Sequence, residues 1–263
     1  MQHVVMYSGG LGSFGAAHRV IEAHGKEGIT LLFTDTLIED EDLYRFLDDT
    51  ELHFGVPVTR IKDGRDPWRV FNEVRFLGNT RIDPCSRILK RELADRWLVE
   101  NCDPSSTTVH LGIDWTEQHR FDDGKGGGAR LRYQRNGWRA EAPLCQPPYL
   151  WRSRLYAMLE TVGIKPPRLY AMGFVHNNCG GFCIKAGQGH FALLLKTMPE
   201  RYRLHEEEEL ALVEKLGAEV AILRDRRGGK TRPMTLRDFR LRIEAKQAID
   251  EDEIGGCGCF VDT

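Results

Sequence analysis

The chain has 263 residues, 41% hydrophobic and 29% charged, with a formal net charge of −2. This is ordinary globular composition with enough apolar residues for a sizeable core. It offers no global basic field for nucleic acid and no apolar run of the roughly 18 residues that span a bilayer. The first residues enter a strand pattern without a basic n-region or apolar h-region, so we expect a cytoplasmic chain with no membrane partner. Seven cysteines in such a chain point to metal ligation or redox chemistry rather than to a disulfide framework.

Residues 1–7, with Val4, Val5 and Met6, read as a short buried strand. Residues 13–23 read as a helix with Ala16, Ala17, Val20 and Ile21 on one face. The apolar run 28–33 suits a strand buried on both faces. Residues 40–54 follow as a helix through Leu43, Phe46, Leu47 and Leu52, then a strand at 56–61 and a short helix at 67–74 with Pro67 at its start. Residues 86–100 form an amphipathic helix with Leu89, Leu93, Trp97 and Leu98 inward and Ser86 as its cap. A fourth strand covers 108–113. This alternation implies a parallel sheet with helices on both faces.

Residues 122–129 (DDGKGGGA) read as a flexible loop, and 148–162 and 199–216 as helices. The run Glu206 to Glu209 is expected to be a solvated face. Residues 219–224 and 230–234 suggest a hairpin whose basic tip carries Arg224, Arg226, Arg227, Lys230 and Arg232. A basic amphipathic helix is expected at 235–248. The expected architecture is α/β: a doubly wound, mostly parallel sheet over 1–147, a helical C-terminal extension over 148–249, and a cysteine-containing tail over 250–263.

Between the first strand and helix lies Ser8-Gly9-Gly10-Leu11-Gly12-Ser13. Glycines let backbone N–H groups point at an anion, the following helix N-terminus adds partial positive charge, and the serines add hydroxyl donors. The loop is neither a Walker loop nor GxGxxG. Ser-Gly-Gly-x-x-Ser after a first strand resembles the PP-loop of the adenine nucleotide α-hydrolase-like superfamily, and in particular the phosphoadenylyl-sulfate (PAPS) reductase-like family. The usual loop is Ser-Gly-Gly-x-Asp-Ser, and Gly12 stands where that aspartate would be. The departure weakens the case for ATP cleavage but not for a bound sulfonucleotide.

The likeness continues in order along the chain. Thr34-Asp35-Thr36 is similar to the family's Asp-Thr, and Cys85-Ser86-Arg87-Ile88-Leu89-Lys90 to its Cys-x-x-x-x-Lys stretch. Gly112-Ile113-Asp114, with Glu117 and Arg120, is similar to its Gly-Ile-Arg segment, with Asp114 replacing the arginine. The resemblance implies an adenine nucleotide (PAPS, APS or ATP) held by Ser8, Gly9, Gly10, Gly12, Ser13, Asp35, Gly112, and the cations Arg87, Lys90 and Arg120. Mg²⁺ would accompany it if ATP is used.

Cys179-Gly-Gly-Phe-Cys183 sits in an irregular glycine-rich loop, Cys85 at a helix start where thiolate is favoured, and Cys257-Gly-Cys259 in the tail. Cys102 and Cys145 read as small buried hydrophobes. Four thiolates suit zinc or an iron-sulfur cluster, and the residues alone leave both open. The resemblance tips the choice to a [4Fe-4S] cluster on Cys85, Cys179, Cys183 and Cys257. It also implies that Cys257 or Cys259 is the nucleophile, because Gly256-Cys257-Gly258-Cys259 looks like a variant of the reductases' C-terminal Glu-Cys-Gly.

Sulfonucleotide reduction, with a thiol reductant as partner, is the expected activity. The alternative is an ATP-dependent sulfur transferase, served by a sulfur-donor protein and acting on nucleic acid. That enzyme would use the basic hairpin and Arg237, Arg240, Arg242 and Lys246. A nucleotide sensor with structural zinc ranks last.

Overall fold

The computed structural model describes residues 1–77, 82–125, 127–217, 219–252 and 255. Strands β1 (Gln2–Met6), β2 (Ile29–Asp35), β3 (Val58–Lys62), β4 (Thr107–Leu111) and β5 (Arg139–Glu141) form one sheet in the order β3-β2-β1-β4-β5. Every pairing is parallel. The fold is the expected doubly wound α/β sheet with a helical extension.

Side chains of β1 alternate between two cores, as the pleat requires. Val5 and Tyr7 join Leu31 and Phe33 under α1 (Leu11–His24) and α2 (Glu41–Phe54). Val4 and Met6 join Val109 and Leu111 on the opposite face, under Ala94 and Leu98. A third core joins the extension to α3 (Pro67–Val74), which supplies Trp68 and Phe71.

The predicted helix 86–100 is longer and irregular. It starts at Pro84–Ser86, widens to a π-helical stretch Arg87–Glu92, and continues as α4 (Leu93–Asn101). Ser86 lies inside this run rather than capping it, and its N-cap position is Asp83. Leu52 is 85% exposed, contrary to the inward face expected; Thr50 and Phe54 fill that side of α2. Part of the predicted loop 122–129 is helical, since a short helix starts at Ala129.

In the extension the helix expected from 148 begins at α5 (Arg152–Thr161). Helix α6 (Gln188–Thr197) was not singled out in the sequence, and α7 (Pro199–Leu216) follows it. The hairpin is β6 (Leu223–Asp225) with β7 (Arg232–Met234), antiparallel, and leads to α8 (Leu236–Glu244). The basic charges of α8 are largely committed internally. Arg240 Nε lies 2.8 Å from Glu206, Arg242 lies 2.7 Å from Asp225, and Arg237 lies 3.5 Å from Glu206.

The acidic run of α7 is a solvated face only in part: Glu207 and Glu208 are exposed, but Glu206 is 5% exposed and Glu209 is fully buried. Glu209 accepts the N–H of Ile222 at 2.8 Å and that of Leu236, tying the hairpin and α8 to α7. Burial pushes its pKa from 4.5 up to about 7. A carboxyl raised on folding contributes stability that is full below the unfolded value and is lost as pH rises through the folded one. The variant Glu209→Gln is therefore expected to gain stability relative to wild type as pH rises from 4.5 to about 7. Denaturant titrations of both chains across that window read the difference; parallel profiles would contradict it.

Among the described residues no helix is long and apolar enough to cross a membrane.

Candidate functional site

The strand order reverses between β1 and β4, and in open parallel sheets ligands bind outside the carboxyl ends at such a switch point. The glycine loop leaves β1 there. Gly9 takes a left-handed φ of 71°, turning the chain into α1. Ser13 Oγ accepts the Gly10 N–H at 3.1 Å and donates to the Gly10 carbonyl at 2.9 Å. Tyr170 Oη accepts the Leu11 N–H at 3.2 Å. The first amides of a helix lack intrahelical acceptors, so those of Gly12 and Ser13 are available to an anion. No acidic residue occupies the first turn of α1.

Gly12 has a local cause. A Cβ there would lie 2.5 Å from the carbonyl oxygen of Gly112, and one on Gly112 would lie 2.7 Å from the Ser13 nitrogen. Helix α1 thus rests backbone to backbone on the end of β4, with no room for a side chain at either position.

Ser8, Gly10, Gly12, Ser13, Lys90, Gly112 and Arg120 line one cleft of about 460 Å³ at this point. Three other residues expected at the nucleotide do not line it. Gly9 faces Leu43 and Leu47. Asp35 accepts from Tyr44 Oη at 2.9 Å and from the Leu37 N–H at 2.8 Å, in the loop leading to α2. Arg87 is exposed and paired with Glu92 at 2.6 Å. The cleft also contains residues the sequence did not signal for the nucleotide: Trp115, Trp151, Arg152, Tyr170 and Asn177. They come from loops and helix ends far apart in sequence, so no local motif announces them.

Lys90 is buried, at 4% exposure, and reaches between the cleft and the cysteine loop. Its Nζ lies 3.7 Å from Cys179 Sγ and 3.9 Å from Glu39 Oε1. Glu39 accepts from Thr36 Oγ1 at 2.8 Å and from the Cys179 N–H. Burial raises the pKa of Glu39, opposed first by the Lys90 charge. Cys179 itself has a left-handed φ of 52°. An ammonium beside a sulfur favours thiolate.

The segment around Cys85 and the loop around Cys183 also adjoin. Lys185 Nζ lies 3.8 Å from Asp83, and Cys85 and Cys183 pack against the same apolar cluster. Yet among the described residues no group of three His, Cys, Asp or Glu side chains is gathered closely enough to hold a metal ion. The described cysteines therefore do not by themselves fit a [4Fe-4S] cluster or a zinc ion. Cys257 and Cys259 lie outside the described residues. An isolated bridge between Ala186 and Gly255 brings the chain alongside the cysteine loop two positions before Cys257. Burial pushes the Cys145 thiol up to about 11 and raises that of Cys102, which suits inert thiols.

No family model matches the chain. A solved structure similar to it is the phosphoadenylyl-sulfate (PAPS) reductase from Candida auris in a phosphate complex. The TM-score is 0.43, with 13% identity, over 66% of this chain and 79% of that one. An uncharacterized protein of Methanocaldococcus jannaschii is 27% identical over 180 residues, 67% of this chain. The match covers 35% of that relative's length.

Proposed function

We propose that the chain is a nucleotide-dependent enzyme of sulfur chemistry that binds an adenine sulfonucleotide by its phosphates and reduces it to sulfite. The observation that carries this reading is the convergence at the β1/β4 switch point of the α1 N-terminus, Ser8, Ser13, Lys90 and Arg120 around one cleft. Amides, hydroxyls and cations together are what a polyanionic ligand needs. The ordered resemblance of residues 8–13, 34–36, 85–90 and 112–120 to the PAPS reductase-like family supports the sulfonucleotide. Glycine in place of aspartate at position 12 counts against ATP cleavage.

In this reading a thiolate of Cys257 or Cys259 attacks the sulfonate sulfur. The S–O bond to the phosphate breaks, and its electron pair leaves with the nucleotide, giving a thiosulfonate. The other thiolate attacks that cysteine's sulfur, sulfite departs, and a disulfide forms. Two electrons pass from the thiols to sulfur, and a dithiol reductant restores them. The Ala186–Gly255 bridge supports the tail's approach to the cysteine loop. A cluster on Cys85, Cys179, Cys183 and Cys257 belongs to the proposal only as an iron measurement on anaerobically purified protein, and no step depends on it.

The test is incubation of the anaerobic protein with PAPS, APS or ATP and dithiothreitol. Sulfite is expected from a sulfonucleotide and is expected to be lost when Cys257 and Cys259 are both replaced by serine. Absence of sulfite, or release of AMP and pyrophosphate from ATP, would contradict the reading.

A further inference from the structure

The cleft continues beyond the glycine loop to an aromatic wall. Trp115 and Trp151 line it, their ring centroids 4.5 Å apart and their planes at 89°. Tyr149 adds a third ring, 5.4 Å from Trp115. Trp151 is 61% exposed and Tyr149 51% exposed, in a molecule whose other tryptophan faces are mostly covered. Trp115 is held in place by its Nε1 donating to the Leu150 carbonyl at 3.3 Å. Exposed, clustered aromatic faces on the rim of a polar cleft mark a surface for a flat apolar group. Arg152 links the wall to the loop, with its guanidinium 4.8 Å above the Tyr170 ring.

Asn177 supplies the chemical constraint. It is 2% exposed and lines the cleft. Its Nδ2 donates to the Gly9 carbonyl at 3.1 Å, which fixes the amide's orientation. Its Oδ1 is buried and has no hydrogen-bond partner. A buried acceptor left unpaired is costly, so it calls for a donor. Ionised phosphate oxygens only accept. A ligand that carries a hydroxyl or amino group beside its phosphates can supply that donor, where ionised phosphate alone cannot.

We infer that the cleft is built for a whole nucleotide laid toward β4: phosphates on the glycine loop, a sugar hydroxyl donating to Asn177 Oδ1, and the base stacked on the Trp115–Trp151 wall. This rests on the phosphate-loop reading above and assigns the base to a different strand end from that of Asp35.

The test compares ADP with pyrophosphate, which shares its phosphates but lacks sugar and base, by calorimetric titration. Wild type is expected to bind both, with tryptophan fluorescence quenched by ADP and not by pyrophosphate. Trp151→Ala is expected to weaken ADP roughly tenfold or more, as loss of one base–aromatic stack does, while leaving pyrophosphate unchanged. Trp151→Phe, which keeps a ring, is expected to retain most of the affinity, and Asn177→Leu to weaken ADP more than pyrophosphate. Equal ADP affinity in wild type and Trp151→Ala, with pyrophosphate bound by both, would overturn the base assignment and leave the phosphate loop standing. Failure of pyrophosphate and ADP alike to bind wild type would overturn the phosphate loop and this inference with it.

Discussion

Gly12→Asp is expected to lower stability by about 1–3 kcal/mol, the usual cost of forcing atoms into a filled site, and to abolish nucleotide binding. The substitution would give the loop Ser-Gly-Gly-Leu-Asp-Ser, yet a Cβ at position 12 would stand 2.5 Å from the Gly112 carbonyl oxygen. Both partners are backbone, so relief requires lifting α1 off the end of β4. That movement would carry away the amides of Gly12 and Ser13, and the new carboxylate would repel phosphate. Gly112→Ala meets the same contact from the other side, 2.7 Å from the Ser13 nitrogen, and is expected to behave alike. Chemical denaturation and calorimetric titration of both variants check this; wild-type stability with wild-type binding would contradict it.

Lys90→Met is the second large effect. The ammonium is buried between Glu39 and Cys179, with Nζ 3.9 Å from the carboxylate and 3.7 Å from the sulfur. Removing one partner of a buried pair costs about 3–5 kcal/mol because the other is left uncompensated. Burial already raises the pKa of Glu39, and loss of Lys90 removes the main opposing charge, so Glu39 is expected to take up a proton in the variant. Adding Glu39→Gln is then expected to recover part of the stability, a coupling that a double-mutant cycle reads directly. Phosphate binding is expected to stay weakened tenfold or more in both, since a charge-assisted contact of about 1.5–3 kcal/mol is gone from the cleft. Full recovery of binding by the double variant would show that Lys90 acts only on packing.

The parallel sheet was legible because its signals are local. Strand-length apolar runs alternate with helical periodicity, and the glycine loop falls between the first two elements. What escaped depends on tertiary partners. Glu206 and Glu209 look like a charge run in sequence, but Glu209 meets backbone N–H groups at Ile222 and Leu236, which only the folded hairpin and α8 bring to it. Helical spacing put Leu52 with Leu43, Phe46 and Leu47, and residue type made Ser86 a cap; the first points to solvent and the second lies within a helical run.

At the site, Ser8, Gly10, Gly12, Ser13, Lys90, Gly112 and Arg120 were visible because they belong to strand ends and a glycine turn. Asp35 lies at the end of β2, outside the cleft, and is satisfied by Tyr44. Asn177 and the Trp115–Trp151 wall carry no motif; their meaning comes from an unpaired buried oxygen and from exposed rings.

The most direct measurement is a crystal structure of the chain with adenosine 3′,5′-bisphosphate. The account predicts a phosphate within hydrogen-bond distance of the Gly12 and Ser13 amides, with Lys90 or Arg120 turned toward its charge. A nucleotide bound elsewhere, with the glycine loop empty, would contradict the central claim.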